Sequence, residues 1–366
     1  MATGFYWDEK CFWHAGEGYA GNYQIGGHVQ PLSYGGLPES PESKRRLKSL
    51  VDVTGLGREL IQRSAPMATL QELERVHPPA FLRKFKELSD AGGGELGLRT
   101  PFGRGGFEIA ALSAGLARSA LFAVLEGEVD NAYALSRPPG HHCLPDWPNG
   151  FCLLANIPVA IEAALAEGLL ERVAVVDWDV HHGNGTEAVY YDRDDVLTIS
   201  LHQDRNYPVD TGEAEARGAG AGEGFNLNIP LPGGTGHSGY LEAYDRFVTP
   251  ALEAFQPDAI IVACGYDASI FDPLSAMMAV PDTFRQMTRK IMETADDLCD
   301  GKLMMVHEGG YSDVHVPFCG HAVLETMARS RIRATDPMAE IVMKRQPSAA
   351  FDAFLSVWLD EVEAKI

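Results

Sequence analysis

Apolar residues cluster along the chain in two ways. Short runs rich in β-branched residues recur: "NAYAL" (131–135), "RVAVV" (172–176), "VLTISL" (196–201), "FNLNI" (225–229), "DAIIVA" (258–263) and "KLMMV" (302–306). Such short, mostly apolar runs alternating with helices predict strands buried on both faces of a mostly parallel sheet. Long alanine-rich stretches at 107–126, 157–167 and 240–255 predict helices between them. "SPES" offers Ser40 as an N-cap, Pro41 for the first turn and Glu42 beside it, so "KRRLK" (44–48) reads as the solvated face of one more helix. Two glycine-rich stretches, 90–106 and 212–224, read as loops, the first of them flexible. There is no internal repeat. Helices alternating with buried strands predict one doubly wound α/β domain over residues 1–366.

Composition narrows the partners. The chain has 366 residues, 45% of them hydrophobic, enough for a large core. Its net charge of -21 repels phosphate backbones, which argues against nucleic acid and favours cationic ligands such as lysine side chains or polyamines. The six cysteines form no C-x-x-C pair and read as reduced, intracellular thiols. The N-terminus lacks a basic-then-apolar signal pattern, and no apolar run reads as long enough to span a bilayer. The expectation is a cytoplasmic protein without a membrane partner.

The segments directly after the apolar runs carry chemistry. "NAYAL" leads to "RPPGHH", "RVAVV" to "DWDVHHGNG", "DAIIVA" to "CGYDAS" and "KLMMV" to "HEGGY". Parallel sheets bind ligands at the carboxyl ends of their strands. His141, His142, Asp177, Asp179, His181, Asp267 and Tyr311 are thereby gathered at one rim. Asp179 and His181 stand two residues apart, which on extended chain points both to one side. With Asp267 they make a candidate three-ligand set that leaves positions open for water and substrate, as catalytic zinc requires; Fe2+ or Co2+ also suits it. A Pro138-Pro139-Gly140 corner can fix two imidazoles as proton carriers, with Asp177 and Asn184 as candidates to orient them. Tyr311, after two glycines, is a candidate hydrogen-bond donor to a developing oxyanion. His182 and His202 read as structural.

Together "RPPGHH", "DWDVHHGNGT", "LTISLHQ", "GYDAS..DPL" and "HEGGY" resemble the zinc-dependent histone deacetylase superfamily, nearest its class II branch and the bacterial histone deacetylase-like amidohydrolases. The likeness runs from about Ser40 to Tyr311. It implies an arginase/deacetylase fold and hydrolysis of an acetyl amide by metal-activated water. By resemblance, Asp179, His181 and Asp267 are zinc ligands. His142 is the general base and then acid, while His141 stays cationic beside Asp177. Tyr311 polarises the acetyl carbonyl. Gly150, Phe151 and Tyr207 match the acyl channel, and Leu274 its mouth. A structural K+ or Na+ is implied at Asp177, Asp179 and the carbonyls of His181, Ser200 and Leu201. A second is implied at carbonyls of Tyr190, Arg193, Val196 and Phe225. Asn184 stands where class I relatives carry Asp, and Tyr266 precedes the proposed ligand where Phe is commoner.

The expected function is removal of acetyl groups from acetyl-lysine in proteins or peptides. An acetylpolyamine amidohydrolase acting on a small acetylated amine is the alternative within the class. A catalytically silent acyl-lysine binding module is the alternative outside it, opposed by the intact set of candidate ligands, histidines and Tyr311. The resemblance also implies a homo-oligomer, dimer or tetramer.

Overall fold

The computed structural model describes residues 1–15, 19–20, 23–32 and 37–366. Eight strands form one sheet: β1 Thr3–Tyr6, β2 Ile61–Arg63, β3 Asn131–Ala134, β4 Val173–Asp177, β5 Val196–Gln203, β6 Asn226–Leu231, β7 Ala259–Cys264 and β8 Leu303–His307. Their order is β6-β5-β4-β7-β8-β3-β1-β2, and every neighbouring pair is parallel. Six of the eight are the apolar runs of the sequence. β1 and β2 are additional. β1 is only four residues long, and β2 is an exposed edge strand reading Ile-Gln-Arg, so neither carries a buried apolar run.

Seven helices exceed ten residues among the described residues: α1 Glu42–Thr54, α2 Pro79–Ala91, α3 Gly106–Leu125, α4 Asn156–Ala166, α5 Pro281–Cys299, α6 Val316–Met327 and α7 Ala349–Glu363. They cover both faces of the sheet. Along β7, Ala259, Ile261 and Ala263 pack towards α3 and α4, while Ile260, Val262 and Cys264 pack towards α1, α5, α6 and α7. Period-two burial on both faces is why the strand is apolar at every position. This is the single-domain α/β arrangement of arginase/deacetylase folds. The predicted helix over 240–255 is interrupted: helical turns at His237–Ala243 and Thr249–Phe255 flank a π-helical segment, Tyr244–Val248. Pro250 has no N–H to give the Arg246 carbonyl, which removes one α-helical bond there.

Three expectations need correction. First, α3 is apolar enough by length and composition to cross a membrane, contrary to the reading of the apolar runs. However, 78% of its apolar window is buried in the protein, where it packs on the sheet and α4. Second, the 90–106 stretch is ordered chain: Gly93–Glu95 and Pro101–Gly103 pair as an antiparallel ribbon. The turn between them docks on the 148–151 loop, with Gly150 N–H donating to the Leu98 carbonyl at 3.1 Å. Third, "KRRLK" is not wholly solvated. Lys44 is fully buried and pairs with buried Glu39 at 3.2 Å.

That pair anchors the segment that matters most. Glu39 also accepts from Arg137 Nε at 3.0 Å, and Arg137 Nη1 donates to the carbonyls of Cys11 and His14. Burial pushes the Glu39 carboxyl up, but Arg137 and Lys44 more than reverse this and hold it below its ordinary range. Ser113 of α3 and Asn156 of α4 both donate to the Pro138 carbonyl, at 2.7 and 3.0 Å. The Gly140 and His141 N–H groups donate to Glu308, at 2.7 and 3.1 Å. The 137–141 corner is therefore held through Arg137, Pro138, Gly140 and His141. Removing one member of a buried ion network of this kind typically costs about 3–5 kcal/mol.

Candidate active site

The four adjacent strands β4, β7, β8 and β3 each deliver side chains at their carboxyl ends. From β4 come Asp177, Asp179 and His181. From β7 comes Asp267, from β8 come Glu308 and Tyr311, and from β3 come His141 and His142. Asp179, His181 and Asp267 bring ligand atoms within 4.8 Å of one another, all buried. His181 Nδ1 lies 3.1 Å from Asp179 Oδ1 and 3.1 Å from Asp267 Oδ2. Three donors about 2.0–2.1 Å from a tetrahedral ion are separated by about 3.3 Å, so this spacing fits a divalent cation. The backbone holds the carboxylates in place. Gly309 N–H donates to Asp179 Oδ2 at 2.7 Å, and Val180 N–H to Asp267 Oδ1 at 2.8 Å. A Cβ on Gly309 would overlap Asp267 Oδ2, so the carboxylates can approach this chain only because residue 309 is glycine.

A second group, His141, Cys152 and Glu308, also brings ligand atoms within 4.8 Å. It suits a cation less well. Burial raises the Cys152 thiol well above its ordinary range, so it keeps its proton near neutrality, and the Glu308 oxygen already accepts from the Gly140 and His141 N–H groups. The Asp179 set is different. Burial alone would depress the His181 imidazole, but Asp267 and Asp179 reverse this and lift it to about 10. Asp267 itself is raised to about 6, by burial and by Asp179. Without a metal ion, the cluster satisfies its charge by keeping a proton.

The paired imidazoles are 4.0 Å apart, centroid to centroid, and they titrate in opposite directions. His141 Nδ1 lies 2.8 Å from Asp177 Oδ2. Burial disfavours its charge, yet Asp179 and Asp177 raise its pKa well above normal. His142 Nδ1 lies 2.8 Å from Asn184 Oδ1, at the start of the helix Asn184–Tyr190. Burial and the neighbouring His141 cation hold its pKa well below normal. An amide oxygen accepts only, so neutral His142 donates from Nδ1 and keeps its Nε2 lone pair free. The pair is thus one cation and one base near neutrality.

A cleft of about 200 Å³ leads from the His142 and His181 rings to solvent. Gly150, Phe151, Tyr207, Leu274 and Tyr311 line it, with Arg99, Asn206 and Val209. The Tyr207 ring stands edge-on to His142 at 5.0 Å, and its hydroxyl donates to Asn149 at 3.1 Å. Phe151 meets Tyr311 at 5.7 Å. A Cβ on Gly150, which has φ +53°, would overlap the His142 ring. Burial and nearby Asp267 raise the Tyr311 hydroxyl well above 10, which keeps it a donor.

His182 bonds to Thr211 and Glu187, and His202 to Ser200 and the Gly212 carbonyl. Asp177 pairs in register with Ser200 on β5. The outlying positions proposed for a second monovalent cation lie near the far end of that strand. There the Tyr190 carbonyl accepts from Arg193 N–H, and the Phe225 carbonyl from Thr198 N–H.

Three residues that matter here escaped the sequence reading. Glu308 holds the histidine corner. Asp272 accepts from the Tyr311 N–H at 2.7 Å and from the Leu274 N–H at 2.9 Å, tying Tyr311 to the mouth; burial and Asp267 lift it to about 8. Arg99 lines the cleft from the ribbon. Glu308 and Asp272 lie inside the motifs "HEGGY" and "DPL", and that was the one signal for them. Arg99 carried none.

A parallel sheet that gathers a buried ligand triad, a cation–base imidazole pair and a narrow cleft defines a hydrolase of the deacetylase class. Comparison with known proteins agrees. The histone deacetylase domain family matches residues 37–327. The chain is 55% identical over 363 residues to a histone deacetylase-like amidohydrolase of Pseudomonas aeruginosa, covering 99% of this chain and 96% of that one. It is 36% identical over 334 residues to a probable deacetylase of Archaeoglobus fulgidus, covering 88% and 92%. The crystal structure of the HDA15 HD domain superposes with a TM-score of 0.80 at 31% identity, covering 94% of this chain and 92% of that one. The chain belongs to the histone deacetylase family and is a deacetylase enzyme of amidohydrolase type.

The proton on the apo ligand cluster has a measurable consequence. A divalent ion must displace it from His181, which is raised to about 10. Metal titrated into the stripped protein is expected to release about one proton per ion near pH 7. Apparent affinity should rise as pH increases towards that value. Calorimetry in buffers of different ionisation enthalpy reads the proton count. Affinity independent of pH between 6 and 8, with no proton released, would place the ion elsewhere.

Proposed function

We propose that the enzyme is a zinc-dependent, class II-like deacetylase that removes acetyl groups from acetyl-lysine side chains of proteins or peptides. The observation that carries this reading is the placement of two imidazoles, His141 against Asp177 and His142 against Asn184, beside the buried Asp179, His181 and Asp267 set. A divalent ion held by those three residues would acidify water and polarise a carbonyl. The rest falls to side chains of this chain. His142 Nε2 accepts a proton and then gives it to the leaving amine. His141, held cationic by Asp177, stabilises negative charge beside it. Tyr311 donates to the acetyl oxygen as that atom gains charge. Phe151 and Tyr207 line the passage of the lysine methylenes and exclude water. A structural K+ or Na+ at Asp177, Asp179 and the carbonyls of His181, Ser200 and Leu201 belongs to the same proposal. So does a location in the cytoplasm.

One substitution tests the role of the tyrosine. Tyr311→Phe is expected to retain metal but lower kcat by roughly 10²–10³, the usual loss for one oxyanion donor, with a much smaller change in KM. Unchanged kcat with full metal content would make Tyr311 a packing residue.

The substrate is read from the mouth. Leu274, half-buried and seven residues after Asp267, offers apolar surface and no carboxylate for a polyamine ammonium. A charge pair at such a mouth would contribute roughly 1–3 kcal/mol, or about five- to 150-fold in selectivity. Acetyl-lysine peptides should therefore show higher kcat/KM than acetylspermidine, and Leu274→Glu should move the ratio towards the polyamine. A tenfold preference for acetylspermidine in the unmodified enzyme would favour the polyamine reading instead.

A further inference from the structure

The cleft has a buried end and an exposed end. His142 and His181 are buried at its floor, whereas Arg99 and Val209 are exposed at its rim. At the rim, Arg99 is the one charged side chain among its described lining residues. Its backbone is unusual. Arg99 has φ +59°, in the left-handed region that side chains with a Cβ seldom adopt. Such conformations persist where the surroundings fix them, and they concentrate at functional sites. Here the Phe151 N–H donates to the Arg99 carbonyl at 3.2 Å. The same contact thus ties the Arg99 backbone to a channel wall. The guanidinium lies 5.7 Å from the Tyr207 ring centroid. No carboxylate among the described residues forms an ion pair with it. In a chain of net charge -21, the cleft opens beside an unneutralised cation.

We propose that Arg99 selects substrates carrying a carboxylate close to the acetylated lysine. This rests on the acetyl-lysine reading above. The acetyl group must enter towards the imidazoles, so the body of the substrate is left at the rim. A guanidinium offers a planar, two-pronged donor that matches a carboxylate, and it repels the ammonium groups of a polyamine. The carboxylate has two candidate sources. One is an acidic side chain flanking acetyl-lysine in a peptide. The other is the α-carboxylate of acetyl-lysine itself, free or at a C-terminus.

Acetate release distinguishes them. The substrates are an acetyl-lysine peptide flanked by Glu, the same peptide with Gln, and free Nε-acetyl-lysine against its α-amide. Each is measured with the metal-loaded wild-type enzyme, Arg99→Gln and Arg99→Lys. At low salt, at least one carboxylate-bearing member should exceed its neutral partner roughly three- to tenfold in kcat/KM, chiefly through KM, and the ratio should shrink as salt is added. Arg99→Gln should bring that ratio to about one, and Arg99→Lys should restore part of it. Which pair shows the effect names the source. If Arg99→Gln melts early, Arg99→Asn, a residue that tolerates left-handed backbone, replaces it. Ratios near one for both pairs in the wild type, or a ratio that survives loss of the guanidinium, would overturn the proposal. Absence of turnover on every acetyl-lysine compound would overturn the substrate reading itself, and this proposal with it.

Discussion

Three carboxylates that share one buried space constrain the rest of this structure. Asp177, Asp179 and Asp267 stand at the ends of adjacent strands, each almost wholly out of water. Like charges in a low-dielectric site cannot all ionise without compensation. Backbone N–H groups supply part of it, from Asp179 to Asp177, from Val180 to Asp267, and from His181 and Gly309 to Asp179. The remainder must be cationic. His141 remains charged because Asp179 and Asp177 face it. The adjacent His142 is neutral because burial and that cation oppose a second charge. His181 holds a proton that a divalent ion can replace. The candidate cation set and the opposed charge states of the imidazole pair therefore have one electrostatic origin.

The fold meets this demand through geometry rather than through any single strong contact. Parallel strands end together, so β4, β7, β8 and β3 deliver side chains from distant parts of the sequence to one rim. Glycine at 309 and 150 lets the backbone come close enough for carboxylates and imidazole to meet. The buried Glu39, Lys44 and Arg137 network and the Glu308 carboxylate hold the histidine corner from behind. A site that depends on sub-ångström placement of two imidazoles needs such support.

Much of this was legible from the residues. Six strands announced themselves because burial on both faces keeps most of their positions apolar, the buried Asn226 and Asn228 of β6 being exceptions. The gathering of Asp179, His181, Asp267 and the histidine pair at one rim was legible because each follows the carboxyl end of a strand. The features that escaped reading are physically different. β1 and β2 are too short or too exposed to carry a pattern. Lys44 looked solvated because a basic run on a helix usually is, and its burial depends on Glu39 and Arg137, the latter almost a hundred residues away. Asp272 and Glu308 act through backbone N–H groups, which carry no sequence signature. Arg99 belongs to a glycine-rich ribbon whose position is set by the loop it docks against. Long-range partners decided these cases, and local pattern does not encode them.

On the proposed reading, catalysis requires one divalent ion in the Asp179, His181 and Asp267 set. It is tested most directly by acetate release from an acetyl-lysine peptide, using protein stripped by a chelator and then reloaded with measured amounts of zinc. Negligible release is expected from stripped protein, with recovery linear up to one ion per chain. Full activity in protein verified to be metal-free would contradict it.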